Sequence, residues 1–497
     1  MSDIVASLGI LVDIKVLLGI AFGTFLGLVM GALPGLTATM AIALLIPLTF
    51  GFPPELGIGM LLGAFCGAVA GGAVPAILLN VPGTPSSVAS TLDGFPMTRR
   101  GEAGRALGLA IASSFVGGML GALLLILFAP PIATFALRFG PAEFFSLAIL
   151  GLVVIAAVST KSILKGLVAG CLGIFLSTVG SDPITGVLRF TMGEPSLITG
   201  VNLLPALIGL FAISQVFHDV FERIYQKKEP LKKQALTSAR PPWGTLRRAW
   251  KVVASSTLIG TLVGAIPGAG GSVASFLSYD QARRMSKTPE KFGTGHDEGL
   301  IATESSNNAM ASGALIPMLT LGVPGEVATA VLMGGLTIQG IRPGPMLFEQ
   351  SGALIYSIFV AFLLANIFMF LIQLFGIKLF VQILRVKEAY LMPSILVLSL
   401  LGVYAATGNT FDMYLALAFG ALGFLLNVFG FGTAPVILGL ILGGIAESNL
   451  RRGMTVFNDD WTRFFTQPIS LALLAATVLL LFFLFRKKSP QPLGSGE

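Results

Sequence analysis

The sequence predicts an all-α polytopic membrane protein built from two inverted-topology repeats. Three observations carry that expectation: long apolar runs almost free of charge, one crowded basic loop near the middle, and Pro-Gly elements that recur in order on both sides of it.

Hydrophobic residues make up 54% of the 497-residue chain and charged residues 11%, against roughly 25% charged in an ordinary soluble domain. Between Lys15 and Arg99 there is no basic residue, and the only acids are Glu55 and Asp93. A charge at the centre of a bilayer helix costs about 2.5–3.5 kcal/mol, so such a stretch belongs in lipid. Apolar runs fall at 8–30, 36–50, 56–80, 105–130, 143–158, 163–179 and 203–221, then at 251–266, 269–280, 300–322, 325–340, 352–375, 391–406, 413–429, 433–446 and 468–485. A full crossing takes about 20 residues. Several runs are shorter, which gives roughly 10–13 spans and half-spans. Asp3 and Asp13 stand where a signal peptide would be basic, so the first run is expected to stay as an anchor. Cys66 and Cys171 lie in apolar runs without a ligand-spaced partner; both are expected to be small packed hydrophobes, and no metal site is supported.

The net charge of +7 would suit nucleic acid, but its placement argues against that partner. Arg223, Lys227, Lys228, Lys232, Lys233, Arg240, Arg247, Arg248 and Lys251 crowd one segment whose single acid is Glu229. That asymmetry marks a cytoplasmic connection, and Arg486, Lys487 and Lys488 place the C-terminus on the same side. The charge sets topology in lipid. The segments expected are a first transmembrane repeat at 1–222, the basic cytoplasmic loop at 223–250, a second repeat at 251–466, and a final helix and tail at 467–497.

The halves resemble each other. Gly31-Ala32-Leu33-Pro34-Gly35 recurs as Gly264-Ala265-Ile266-Pro267-Gly268, and Pro75 with Val81-Pro82-Gly83 recurs as Pro317 with Val323-Pro324-Gly325. The segment Gly51–Glu55 after the first element has no basic residue, whereas its counterpart carries Arg283, Arg284, Lys287 and Lys291. By the positive-inside rule the two lie on opposite sides, as inversion requires. Arg99, Arg100 and Arg105 fit that topology less well. Pro and Gly together break a helix, and the freed backbone groups must line a cavity, since lipid cannot satisfy them. Broken helices at matched positions of inverted repeats point to a carrier whose site lies near the bilayer midplane.

Each break opens a helix N-terminus, a ready anion site. The candidate substrate contacts are Pro34, Gly35, Thr37 and Thr39; Pro82, Gly83, Thr84 and Ser86; Pro267, Gly268, Gly270, Gly271 and Ser272; and Pro324 with Gly325. The hydroxyls serve equally well as ordinary N-caps. Glu304, Asn308 and Ser312 share one helix face, while the matching positions of the first half are Leu62, Cys66 and Ala70. With Ser305 and Asn307 they are candidates for a coupling ion, Na+ or H+, or for an interhelical hydrogen-bond seam. Asp297 is expected to cap the helix after a solvated His296-Asp297-Glu298, and Glu447 to pair with Arg451. His-Glu-x-x-His and phosphate-loop signatures are missing, so no cofactor, ATP-driven step or enzymatic activity is expected. The rivals are a passive anion channel and an intramembrane enzyme using His218 or His296.

Across Gly31–Thr39, Val81–Thr84, Gly264–Ser272, Glu304–Asn308 and Leu321–Glu326 the sequence resembles the large membrane subunit of the tripartite tricarboxylate transporter family. The resemblance covers nearly the whole chain. It implies a bacterial inner-membrane secondary transporter driven by a cation gradient, with a periplasmic solute-binding protein and a small membrane subunit as partners. It also implies small carboxylate substrates, citrate-like tricarboxylates being the namesake. A dicarboxylate carrier of a related binding-protein-dependent system is the alternative.

Overall fold

The computed structural model describes residues 13–159, 162–182, 184–225, 239–383 and 388–486. The fold is helical, and every apolar run of the sequence passes through a helix. Among the described residues, seven helices are long and apolar enough to cross a membrane, and five shorter apolar helices accompany them. One pair of two-residue strands, Gly180–Ser181 with Leu188–Arg189, is the only sheet among them. The protein is a multi-pass membrane protein.

The chain forms two compact units, each drawing on both ends of the sequence: Met1–Arg138 with Val201–Leu426, and Phe139–Gly200 with Asn427–Glu497. In the first unit the helices are α1 (Ile14–Ala32), α2 (Ala38–Thr49), α3 (Pro54–Gly71), α4 (Ala73–Leu79), α5 (Thr91–Arg99) and α6 (Ala103–Ala136). A 3-10 turn, Pro85–Ser90, leads into α5. The second unit holds α7 (Pro141–Ser159) and α8 (Ile163–Ser177). Back in the first unit come α9 (Ser214–Tyr225), entered through a π-helical stretch at Ile208–Ile213, then α10 (Trp250–Gly264), α11 (Gly270–Met285), α12 (Asp297–Leu321) and α13 (Val327–Ile338). Next are α14 (Gly352–Ile383), α15 (Glu388–Thr407) and α16 (Thr410–Val428). The second unit ends with α17 (Ala434–Val456) and α18 (Pro468–Arg486).

Local structure repeats as the sequence does. Asn80 and Gly322 end their helices in the left-handed conformation, with φ of 59° and 70°. Val81 N–H then reaches back to the Pro75 carbonyl at 3.4 Å, and Val323 N–H to the Pro317 carbonyl at 3.3 Å. Each proline carbonyl also accepts from the N–H of the left-handed cap, Asn80 or Gly322, so the last turn closes on it twice. Thr84 N–H donates to Ser87 Oγ at 3.2 Å and Ser87 returns its hydroxyl to the Thr84 carbonyl at 2.8 Å. Glu326 and Thr329 do the same at 3.0 and 2.8 Å.

Packing repeats too. Small residues let backbones touch, which is how helices associate where lipid removes the hydrophobic drive. α1 lies along α3 with Gly31 on the Ala68 backbone, and α10 lies along α12 with Gly264 on the Met310 carbonyl. Between halves the contacts are reciprocal. α6 packs on α10 and α12, while α14 packs on α1 and α3; the Pro85–Ser90 turn packs on α11, while α13 packs on α2.

The second unit packs α17 against α7 and α8, and α18 against α7. A ring of four charges closes it. Arg189 bonds Glu447 at 2.6 Å and Asp182 at 3.4 Å, while Arg451 bonds Asp182 at 2.8 Å and Glu447 at 2.9 Å. The expected Glu447–Arg451 pair is therefore half of a larger network. Backbone N–H groups of Thr185 and Ile184, aided by the Arg451 charge, hold the Asp182 carboxyl at about 2. A depressed carboxyl contributes stability above its unfolded value, near 4, and loses it as pH falls through the folded value. Protection of the 180–189 hairpin in hydrogen exchange is thus expected to hold at pH 4 and disappear toward about pH 2. Asp182→Asn should lose it already at neutral pH; unchanged protection would remove Asp182 from the hairpin's support.

Two expectations are corrected. His296 caps α12, its Nδ1 accepting from Glu298 N–H at 3.3 Å, while Asp297 sits inside the first turn and pairs with Arg105 at 2.5 Å. The cation across the way wins the carboxylate, and the imidazole is left to cap. Cys66 is buried as expected, but Cys171 is exposed on α8. Lys227, Lys228, Lys232, Lys233, Lys487 and Lys488 lie outside the described residues.

Candidate functional site

All four Pro-Gly elements lead directly into a helical start: α2 with Thr37 as cap, the Pro85–Ser90 turn with Thr84, α11 with Ala269, and α13 with Glu326. The breaks meet one another. A side chain at Gly83 would overlap the Gly31 carbonyl, and one at Gly325 would lie 2.6 Å from the Gly264 carbonyl. Gly268 N–H donates to the Gly325 carbonyl at 2.7 Å. Across the halves, the Ser272 hydroxyl donates to the Pro85 carbonyl at 2.7 Å, and Gly271 lies against Ser86 with Met310 beneath both.

Thr84 and Ser86 share a hydroxyl contact of 3.1 Å and are buried. Thr37 takes the ordinary capping role, accepting from Met40 N–H at 3.3 Å, and Thr39 is buried one turn in. Gly35 is exposed, with φ of 90°, and its outward direction faces the Asp219 carboxylate at 3.7 Å. That acid makes the Pro34-Gly35 turn a poor anion site, a feature no local sequence signal announces. Gly270 also holds a positive φ, 67°, at the mouth of α11. Pro324 and Gly325 are buried.

The polar stripe lies on α12, the most enclosed helix of the unit. Glu304 is 0% exposed. Ser90 donates to its Oε1 at 2.5 Å and Ser114 to its Oε2 at 2.9 Å, and Thr303 Oγ1 lies 3.1 Å from Ser90. No Lys or Arg pairs with it among the described residues. Ser305 donates to the Ser113 carbonyl at 3.3 Å, Asn307 Nδ2 to the Val69 carbonyl at 3.3 Å, and Asn308 Nδ2 to the Glu304 carbonyl at 3.2 Å. Asn307 Oδ1 and Ser312 Oγ are buried without a partner among the described residues. A lone charge is costly to bury, and two hydroxyl donors return only about 1.5–3 kcal/mol each. The carboxyl is thus set up to take a proton or a cation. Among the described residues no three His, Cys, Asp or Glu gather as a metal centre would need.

Residues 17–438, which include every break and the whole of α12, match the tripartite tricarboxylate transporter TctA family. The chain belongs to that family. This TctA protein is 38% identical over 453 residues to an uncharacterized 52.8 kDa protein in the TAR-I ttuC' 3'region of Agrobacterium vitis, covering 91% of this chain and 90% of that one. It is also 38% identical over 215 residues to an uncharacterized protein in the TAR-II ttuC' 3'region of the same organism, covering 43% of this chain and 89% of that one. No solved structure matches. TctA proteins are large subunits of tripartite transporters, so transport with other subunits is the role of this chain.

Sequence reasoning about the TctA chain missed Asp93. This carboxylate, 1% exposed, gathers the N–H groups of Gly293, Gly295 and His296 on Oδ1 at 2.9, 2.7 and 2.7 Å. Arg100 donates alongside to the Thr294 and Gly295 carbonyls at 2.8 and 2.7 Å. Together they bind α5 to the loop before α12. The one available signal was an acid standing alone in a charge-poor stretch.

Proposed function

We propose that this chain is the substrate-translocating subunit of a binding-protein-dependent secondary transporter that imports carboxylates, citrate-like tricarboxylates first, on a Na+ or H+ gradient. The observation that carries this reading is the meeting of the Pro85–Ser86 turn with Gly271-Ser272, one turn from a buried Glu304 that no Lys or Arg among the described residues pairs with. Helix starts attract the carboxylate; Glu304, Ser305, Asn307, Asn308 and Ser312 supply oxygens for the ion. The acid at Asp219 favours Gly83, Thr84, Ser86 and Gly268 to Ser272 over Pro34 and Gly35 as substrate contacts. A periplasmic solute-binding protein and a small membrane subunit complete the system in a bacterial inner membrane, with the basic loop and C-terminus cytoplasmic. A two-fold relation between the repeats is supported by the reciprocal packing, and their inversion by the basic residues on only one of the two equivalent loops.

Labelled citrate uptake into proteoliposomes tests the whole, with the small subunit present, binding protein outside and an imposed gradient. Saturable, gradient-dependent uptake is expected, and Asn307→Ala should lower it at least about tenfold, equivalent to ~1.4 kcal/mol. Silence across di- and tricarboxylates would end the carboxylate assignment; unsaturable flux without a gradient would establish the channel instead.

A further inference from the structure

Helical Ser and Thr hydroxyls in this chain commonly return to their own helix. Thr24, Thr320, Thr337 and Ser357 each donate to the carbonyl four residues earlier, at 2.7–3.0 Å. Thr98, Ser113, Ser312 and Ser399 break the habit singly, and one group does so together. Ser256, Thr257 and Thr261 on α10, Ser275 and Ser278 on α11, and Ser306 on α12 are at most 4% exposed. Their hydroxyls have no hydrogen-bond partner among the described residues. Buried polar groups are normally paired, so each of these calls for a partner that the described residues do not supply.

The six sit on three mutually packed helices. α10, α11 and α12 pack on one another, and Gly260 rests on the Ser306 backbone while Gly313 rests on that of Thr261. Gly271 faces Met310 and Tyr279 faces Gly299, so Ser275 and Ser278 fall between, level with the stretch of α12 that carries Glu304 and Ser306.

The first half shows that the architecture does not require them. Matching the Pro-Gly elements (Pro34 with Pro267, Pro82 with Pro324) aligns the six with Gly23, Thr24, Leu28, Ile42, Leu45 and Ala64. The contacts of Gly27, Gly31 and Gly71 match those of Gly260, Gly264 and Gly313, yet one hydroxyl survives there, and Thr24 spends it on the Ile20 carbonyl; in place of Ser256 stands Gly23, packed on the Met60 backbone.

Neutral oxygens grouped inside a membrane helix bundle match a cation of low charge. A divalent ion would call for carboxylates, so an all-hydroxyl cluster leaves an ion of single charge. We propose that the hydroxyl cluster of α10, α11 and α12 binds a monovalent cation, Na+ or a proton carried on water, where α12 faces α10 and α11. The inference rests on the transport reading only for what the ion is used for; its binding is independent of any substrate.

Thermal melting of the purified full chain in detergent tests it, with NaCl against choline chloride and across a pH series, without substrate or partner. The wild type is expected to gain melting temperature saturably with Na+, or on acidification alone if the ion is a proton. Ser275→Ala with Ser278→Ala, and separately Thr257→Val with Ser306→Ala, should weaken that response at least about tenfold in midpoint. In choline at neutral pH they should melt no lower than the wild type, because no protein partner is lost. Thr24→Val should keep the ion response. A wild type indifferent to both Na+ and pH overturns the proposal, as do variants that keep the response or that melt lower in choline. Because the assay contains no carboxylate, a failed uptake experiment leaves this result standing, and the reverse.

Discussion

Replacing Asp93 with alanine is expected to lower the melting temperature of the chain by at least about 5 °C, the largest loss of stability from one polar side chain in the first unit. Three backbone N–H groups converge on its Oδ1, and Gly295 N–H among them is buried. An orphaned buried donor costs about 1–3 kcal/mol, which the Gly295 N–H loses in full, and the two part-buried donors add to it in smaller part. Asp93→Asn keeps an acceptor oxygen at the same place and should lose less than half as much. Melting curves of both variants check this, with hydrogen exchange on the 293–296 loop. Equal losses for Ala and Asn would mean that charge, not the three-way acceptance, holds α5 to the loop.

The second large effect is expected at Glu304, and it falls on transport rather than stability. Glu304→Gln keeps the shape and an acceptor for Ser90 or Ser114, so the protein should remain monodisperse with nearly unchanged melting. Gradient-driven uptake should fall at least about 100-fold, or ~2.7 kcal/mol, since an amide can neither carry a proton nor neutralise a cation. Uptake at the wild-type rate would reduce Glu304 to a hydrogen-bond seam, where each bond is worth only about 0.6–2 kcal/mol.

The helical frame was legible because lipid demands it: a run such as 352–375 has no alternative but Gly352–Ile383. The breaks were legible because Pro-Gly is a local signal, and each did precede a helical start. The stripe on α12 was legible as a face, since periodicity needs only one helix. Its surroundings were not. Ser90 and Ser114 stand 214 and 190 residues from Glu304 in sequence, and nothing in a hydroxyl says which carboxylate it will meet. The hairpin at 180–189 was missed for a related reason. Its two-residue strands have no periodicity, and Asp182 and Arg189 owe their place to charges on α17.

The contacts between the Pro-Gly breaks restrict how this unit can deform. Gly83 against Gly31 and Gly268 on Gly325 join the two turns of each half through backbone atoms that have no rotamers to yield, while the Ser272 hydroxyl on Pro85 links the halves through a side chain. A hairpin tip cannot swing away on its own without parting its neighbour's main chain. Any displacement that exposes one turn is shared by its partner in the same half, so each pair behaves as one stiff body, and the compliance has to reside in the serine contact between the pairs and in the segments that connect them to the rest.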